Sequence, residues 1–322
     1  MLINYLKIDE KGTAACLSFL KDLGKDLVVS LGVFDGLHLG HRFVLETAID
    51  LANSLKSLPA VITFYPLPNS LFKKQAAFLT PKNEKILQLK KLGLSRIFFL
   101  NFSPKFSLLT YKEFLEILRL MKIKGVVVGF NFSFGYKALG TPDDLAKYFK
   151  TVVVKPFLYN EKLVSSSRIL DLLSLGKIEE ANEFLGRFYT IKGKVVFGNK
   201  IGNKLGFNTA NILLEENYFL PKDGVYIVKV TSKSAFNSFY FGVMNIGKRP
   251  TILSNNTRSI EVHLFDFQGN LYGKRLSVEL LSYLREEKKF TSLLALKEQI
   301  KRDVFKAKLF LKEKQLKFNL HE

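Results

Sequence analysis

The chain has 322 residues, 47% of them apolar, with 49 Lys and Arg against 29 Asp and Glu for a formal charge of +20. It can bury a sizeable core, and its length suits one or two domains. One cysteine, Cys16, excludes an internal disulfide, the charged opening MLINYLKIDE lacks the apolar stretch of a secretion signal, and no apolar run nears the roughly 18 residues of a membrane span.

A reducing cytoplasm is therefore the expected location, with no membrane partner. The basic residues are spread over predicted helix faces and termini, with no long Lys/Arg run and no zinc-finger or basic-zipper pattern. Such a surface reads as solvated and attractive to small anions such as ATP, and no nucleic-acid partner is expected. No sequence feature speaks to an oligomeric state.

In chain order, β-branched runs alternate with amphipathic stretches. Strand-like Leu27–Val33 precedes a helical pattern over His41–Leu55, and Val61–Phe64 precedes one over Glu84–Leu92. The alternation runs on through Arg96–Leu100, helical Tyr111–Met121, Val126–Gly129, a short helix near Asp143–Tyr148, and Val152–Lys155. This pattern predicts a doubly wound parallel sheet, an α/β fold. A helical block over Ser166–Leu185, divided by Gly176, closes the first half.

Beyond Gly186 the period falls to two, in Gly193–Phe197, Val225–Val230, Phe239–Met244, Ile260–Phe267 and Leu276–Leu281, with Gly, Asn and Asp turns between them. An antiparallel barrel or sandwich is expected there. A stripe at Leu293, Leu296, Ile300, Val304 and Leu309 predicts a C-terminal helix over it. The expected domains are 1–184 and 185–322.

The segment Gly32-Val-Phe-Asp-Gly-Leu-His-Leu-Gly-His41 lies after the first of these strands and before its helix. Ligands of open α/β sheets sit at strand carboxyl ends. Glycines at 32, 36 and 40 admit a phosphate close to the backbone, the helix start offers unpaired N–H groups, and His38 and His41 can face one anion. A capped helix after a simple turn is the plainer reading of the same residues.

The G-x-F-D-G-x-H-x-G-H pattern resembles the H-x-G-H nucleotidyltransferases, and in particular the adenylyltransferase module of bacterial bifunctional riboflavin kinase/FAD synthetases. The resemblance continues in Thr63-Phe64-Tyr65-Pro66 and in Gly129-Phe-Asn-Phe-Ser-Phe-Gly135. It implies that Gly32, Phe34, Asp35, Gly36, His38, Gly40 and His41 bind ATP. His38 and His41 would be catalytic, Asn131 would meet FMN or the nucleotide, and Phe64 and Pro66 would lie at the flavin. The rings of Phe130, Phe132 and Phe134 read equally well as an alternating core stripe.

Val164-Ser-Ser-Ser-Arg-Ile-Leu170 is similar to the family's phosphate-binding I-S-S-T-x-x-R, which adds Ser165, Ser166, Ser167 and Arg168 to the ATP set. Leu170 stands where the family carries arginine. A lost charge-assisted contact costs about 1.5–3 kcal/mol, or roughly one to two orders of magnitude in rate. A second reading therefore keeps the kinase and weakens or loses adenylyl transfer.

In the second half, residues 198–211 resemble the riboflavin kinase signature G-x-x-x-G-x-x-x-G-F-P-T-A-N, with Asn208 in place of proline. The resemblance implies a nucleotide site at Gly198, Gly202, Lys204, Gly206, Thr209 and Asn211, with Thr209 and Asn211 on Mg²⁺. Glu261 matches the catalytic glutamate, and a cross-strand pair with His263 is its plain alternative. Arg285 and Phe290 fall where the family closes on the flavin. Together these imply ATP, riboflavin and FMN as substrates, with two reactions: riboflavin to FMN, and FMN to FAD.

Overall fold

The computed structural model describes residues 1–6, 25–66, 77–197, 209–236, 238–248 and 258–318. The chain divides into two compact units, Met1–Ser166 and Ser167–Glu322.

In the first unit, strands β1 (Leu2–Leu6), β2 (Leu27–Leu31), β3 (Leu58–Phe64), β4 (Arg96–Leu100), β5 (Ile123–Gly129) and β6 (Lys150–Val154) form one sheet in the order β1-β4-β3-β2-β5-β6. Every pairing is parallel. Parallel strands need crossovers, and helices α1 (Leu39–Ser54), α2 (Lys82–Lys91), α3 (Pro104–Ser107), α4 (Tyr111–Leu120) and α5 (Pro142–Ala146) lie between them in sequence. The predicted doubly wound sheet is present.

Strand β2 reads LVVSL because both its faces are covered. Leu27, Val29 and Leu31 join one core with Phe114, Leu115 and Leu118 of α4, while Val28 joins another with Leu45, Ala48 and Ala52 of α1. The strand order reverses at β2, which has β3 on one side and β5 on the other. A crevice therefore opens beyond the carboxyl ends of β2 and β5, where such sheets hold ligands. A hairpin of β7 (Leu158–Tyr159) and β8 (Lys162–Leu163) follows the sheet.

In the second unit, β9 (Tyr189–Val196), β10 (Thr209–Leu214), β11 (Gly224–Thr231), β12 (Phe239–Lys248), β13 (Arg258–Leu264) and β14 (Arg275–Arg285) close into an antiparallel barrel, ordered β10-β13-β12-β11-β14-β9. Of the two expected arrangements, barrel and sandwich, the barrel is found. Tyr226, Val228 and Val230 of β11 are fully buried, while Val225 and Ile227 on its other face pack with Ala307 of α8 (Leu293–Phe318).

The expected helical stripe is displaced along α8. Val304 packs on the barrel, but Leu293 and Leu309 are half exposed, and Ala307, Phe310 and Leu311 complete the contact instead. Spacings of three and four from Val304 keep to one helix face, and Leu309 lies off it.

Helices α6 (Ser166–Ser174) and α7 (Ile178–Leu185) are separated at Gly176, which takes φ +77° over the Tyr283 ring. Division by packing falls at 166/167, whereas the change of texture falls at 184/185, because this helical pair rests on barrel strands. Buried Asn182 joins them, its Nδ2 donating to Leu280 O at 2.9 Å and its Oδ1 accepting from Tyr189 N at 2.7 Å. Asn182→Ala orphans two buried backbone groups, at about 1–3 kcal/mol for each unsatisfied group. Thermal unfolding followed on the barrel unit should show that loss.

Candidate active sites

Between β2 and α1 the chain reverses through Phe34 at φ 49°, Gly36 at φ 90° and Leu37 at φ 43°. Left-handed backbone costs a non-glycine residue roughly 1–2 kcal/mol. Phe34 and Leu37 are 2% and 1% exposed, and burial of two large apolar side chains offsets that cost. A Cβ at Gly32 would stand 2.9 Å from the Phe34 ring, so the ring folds down only over glycine.

The turn delivers both histidines to the helix start. His38 caps α1, its Nδ1 accepting from His41 N at 3.2 Å. A neutral imidazole accepting at Nδ1 carries its proton on Nε2. The two rings stack 3.6 Å apart at 17°, and Phe34 meets His41 edge-on. Burial first, and then the neighbouring His38 and Lys85, hold the His41 imidazole well below its ordinary pKa, so it is neutral at pH 7. Its buried Nδ1 has no hydrogen-bond partner among the described residues. Two imidazoles at a helix N-terminus suit an anionic ligand.

Next to them is a cavity of about 530 Å³, lined by Gly32, Phe34, His41, Phe64 and Asn131 among others. Its volume suits a cofactor-sized ligand. Phe64, Phe102 and Phe106 stand 5.4–5.7 Å apart along its wall, giving an aromatic surface for a flat ring system. Of the alternating phenylalanines, Phe132 and Phe134 both line the cavity and pack with the core, Phe134 buried and Phe132 half-buried, while Phe130 is exposed. Pro66, next to Phe64 through Tyr65, is not part of that lining.

Asp35 is 8% exposed, and both its carboxylate oxygens are engaged, accepting from Leu79 N at 3.1 Å and Thr80 N at 2.9 Å. Its carbonyl accepts from Ser166 Oγ at 2.7 Å. Gly40 lies against the His38 ring. Ser165 precedes α6, Ser167 is exposed in its first turn, and the Arg168 guanidinium lies 5.8 Å over the Phe184 ring.

On the barrel, register makes a second polar constellation. Thr209 pairs with His263 and Asn211 with Glu261 across β10 and β13, and Glu261 pairs with Asn245 of β12. Directly opposed residues share a face, so Asn211, Glu261 and Asn245 form one row and Thr209 and His263 the next. Ile260, Val262 and Leu264 alternate inward as core. Asn245 joins the set through strand pairing alone. Gly198, Gly202, Lys204 and Gly206 lie outside the described residues.

Arg285 does not stand apart as a cation. It grips the Asp303 carboxylate with Nε and Nη2 at 2.7–3.1 Å, and Gln299 donates to the same carboxylate. Phe290 lies in the stretch between β14 and α8.

An α/β unit with paired imidazoles at a helix start above a strand-order reversal, followed by a barrel with a polar row on one face, defines a two-module transferase of the nucleotide-using kind. The family described as FAD synthetase matches residues 21–168, and the riboflavin kinase family matches residues 185–311. The bifunctional riboflavin kinase/FMN adenylyltransferase of Bacillus subtilis is 37% identical over 86% of this chain and 90% of its own length. That of Listeria monocytogenes is 36% identical with the same coverage. A crystal structure described as a macrolide-efflux protein from Streptococcus pneumoniae superposes with a TM-score of 0.84 at 30% identity, covering 96% of this chain and 99% of its own. The chain belongs to the bifunctional riboflavin kinase/FMN adenylyltransferase family.

Because Asp303 is 3% exposed, Arg285→Met would strand a buried carboxylate. The expected loss is about 3–5 kcal/mol in denaturant unfolding of the barrel unit, seen with or without flavin. A stable variant with weak flavin binding would assign Arg285 to the ligand instead.

Proposed function

We propose that the chain makes FAD from riboflavin in two ATP-dependent steps, one in each module, in the cytoplasm. The observation that carries this is the presence of two separate polar constellations, the histidine pair and the Thr209–Asn211–Glu261 face, on the two modules of one chain.

In the barrel module, Glu261 orients the terminal ribityl hydroxyl of riboflavin and takes its proton as the oxygen attacks the γ-phosphorus of ATP. The bond from that phosphorus to the bridging oxygen breaks, ADP leaves, and FMN forms. Thr209 and Asn211 offer neutral oxygen donors on one strand face, the kind of small protein contribution Mg²⁺ takes alongside nucleotide phosphates. When bound, the ion neutralises phosphate charge.

In the α/β module, the aromatic cavity holds the isoalloxazine ring and Asn131 contacts FMN or the nucleotide at its edge. An FMN phosphate oxygen attacks the α-phosphorus of ATP, the α–β bridging bond breaks, and pyrophosphate leaves. His38, His41 and the α1 amides receive the charge developing on the phosphates, an electrostatic and positional contribution. Ser165 and Ser166 extend the phosphate site.

The experiment is a time course of riboflavin, ATP and Mg²⁺ with the full chain, resolved by chromatography. FMN followed by FAD is expected, FMN alone would point to Leu170, and unchanged riboflavin would sink the proposal.

The modules also separate by mutation. His38→Asn should lower FAD formation from supplied FMN by about 10²–10³ while riboflavin phosphorylation persists. Glu261→Gln should lower phosphorylation by about 10²–10⁴ and spare FAD formation from FMN.

A further inference from the structure

Lys85 belongs to none of the motifs discussed above, yet it is 2% exposed in the first unit. Its Nζ donates to Val33 O at 2.9 Å, and Thr63 Oγ1, itself fully buried, donates to the same carbonyl at 2.9 Å. Val33 immediately precedes the left-handed turn at Phe34, Gly36 and Leu37. Two residues beyond Val33, inside the turn, the Asp35 carboxylate is held by the Leu79 and Thr80 amides, on the segment that leads into α2.

A buried cation is costly to desolvate unless it is compensated. Here the compensation comes from one carbonyl and the nearby Asp35 charge, so the cation is tied to the geometry of the turn.

We infer that Lys85 is a positioning residue for adenylyl transfer: it fixes the Val33–Leu37 turn that sets the two imidazoles at the start of α1. This rests on the reading of that turn as the adenylyl-transfer site. The residue acts through the backbone and through His41, without touching substrate.

Burial brings the Lys85 pKa down to about 8, and Asp35 opposes that shift. The groups acting electrically around it are Asp35 on the turn and His41, with His38 stacked on His41. Below pH 8 the ammonium is present and the turn is held. Above it Lys85 is neutral, and Asp35 keeps its charge with only amide partners.

Stability runs the other way. Between pH 8 and the ordinary 10.5 the unfolded chain holds the proton that the folded chain has released, so this group makes the fold more stable as pH rises. Release of the Lys85 proton therefore does not lower turnover by unfolding the chain.

The test measures FAD formation from FMN and ATP, and riboflavin phosphorylation, in one preparation of the full chain. Wild-type kcat for FAD formation should fall above pH 8. Lys85→Met should lower kcat about 10- to 100-fold at pH 7, the scale of a small misplacement of catalytic groups. It should remove the limb near pH 8 and spare riboflavin phosphorylation. Lys85→Arg, whose charge does not titrate in this range, should also lack that limb, and it decides the matter should Lys85→Met fail to fold.

Lys85→Met with wild-type kcat, or either variant keeping the limb near pH 8, overturns the inference while leaving the adenylyl-transfer reading intact. A wild-type chain that makes FMN but never FAD would instead sink that reading.

Discussion

The turn that carries the paired histidines of the first unit hangs on one peptide carbonyl. Val33 O lies just beyond β2, and two buried donors from different elements, Thr63 on β3 and Lys85 on α2, converge on it. Three of the next four residues have left-handed backbone, Phe34 and Leu37 with Gly36 between them. The turn survives because its apolar side chains enter the core while its carbonyl and carboxylate are bonded from outside. The histidines are delivered by the scaffold, stacked at the start of α1.

The barrel reaches comparable order by other means. Its polar row comes from strand register, which puts Asn211, Glu261 and Asn245 side by side without any local signal linking them. The same alternation sends Ile260, Val262 and Leu264 into the core, so the polar face and the packing face are two sides of one strand. A slip of one residue in β13 would exchange them.

Much of this was legible in the sequence. Leu27–Val33 and Arg96–Leu100 are short, mostly apolar runs, and both hold strands, the first ending at Leu31. β10 was hidden because its residues Thr209–Asn211 look like the end of a glycine-rich loop, and pairing on both sides makes them strand. β1 was hidden at the start of the chain, where its parallel partner β4 lies about ninety residues on. Of the candidate site residues, Gly32, Phe34, His41, Phe64 and Asn131 meet at one cavity. The Arg285–Asp303 grip was not legible, since a cation in a motif does not announce which carboxylate will find it. Lys85 was unreadable for a similar reason: in sequence it looks like any surface lysine on a helix of alternating charge.

The helical pair on the barrel also bears on how such two-module chains are assembled. The texture of the sequence changes at 185, yet Asn182 is hydrogen-bonded to both Leu280 and Tyr189. A gene fusion or exchange made at the change of texture would sever that amide from its strand. One made before α6 would transmit the barrel with its helices attached, so the inheritable piece is longer than the barrel itself.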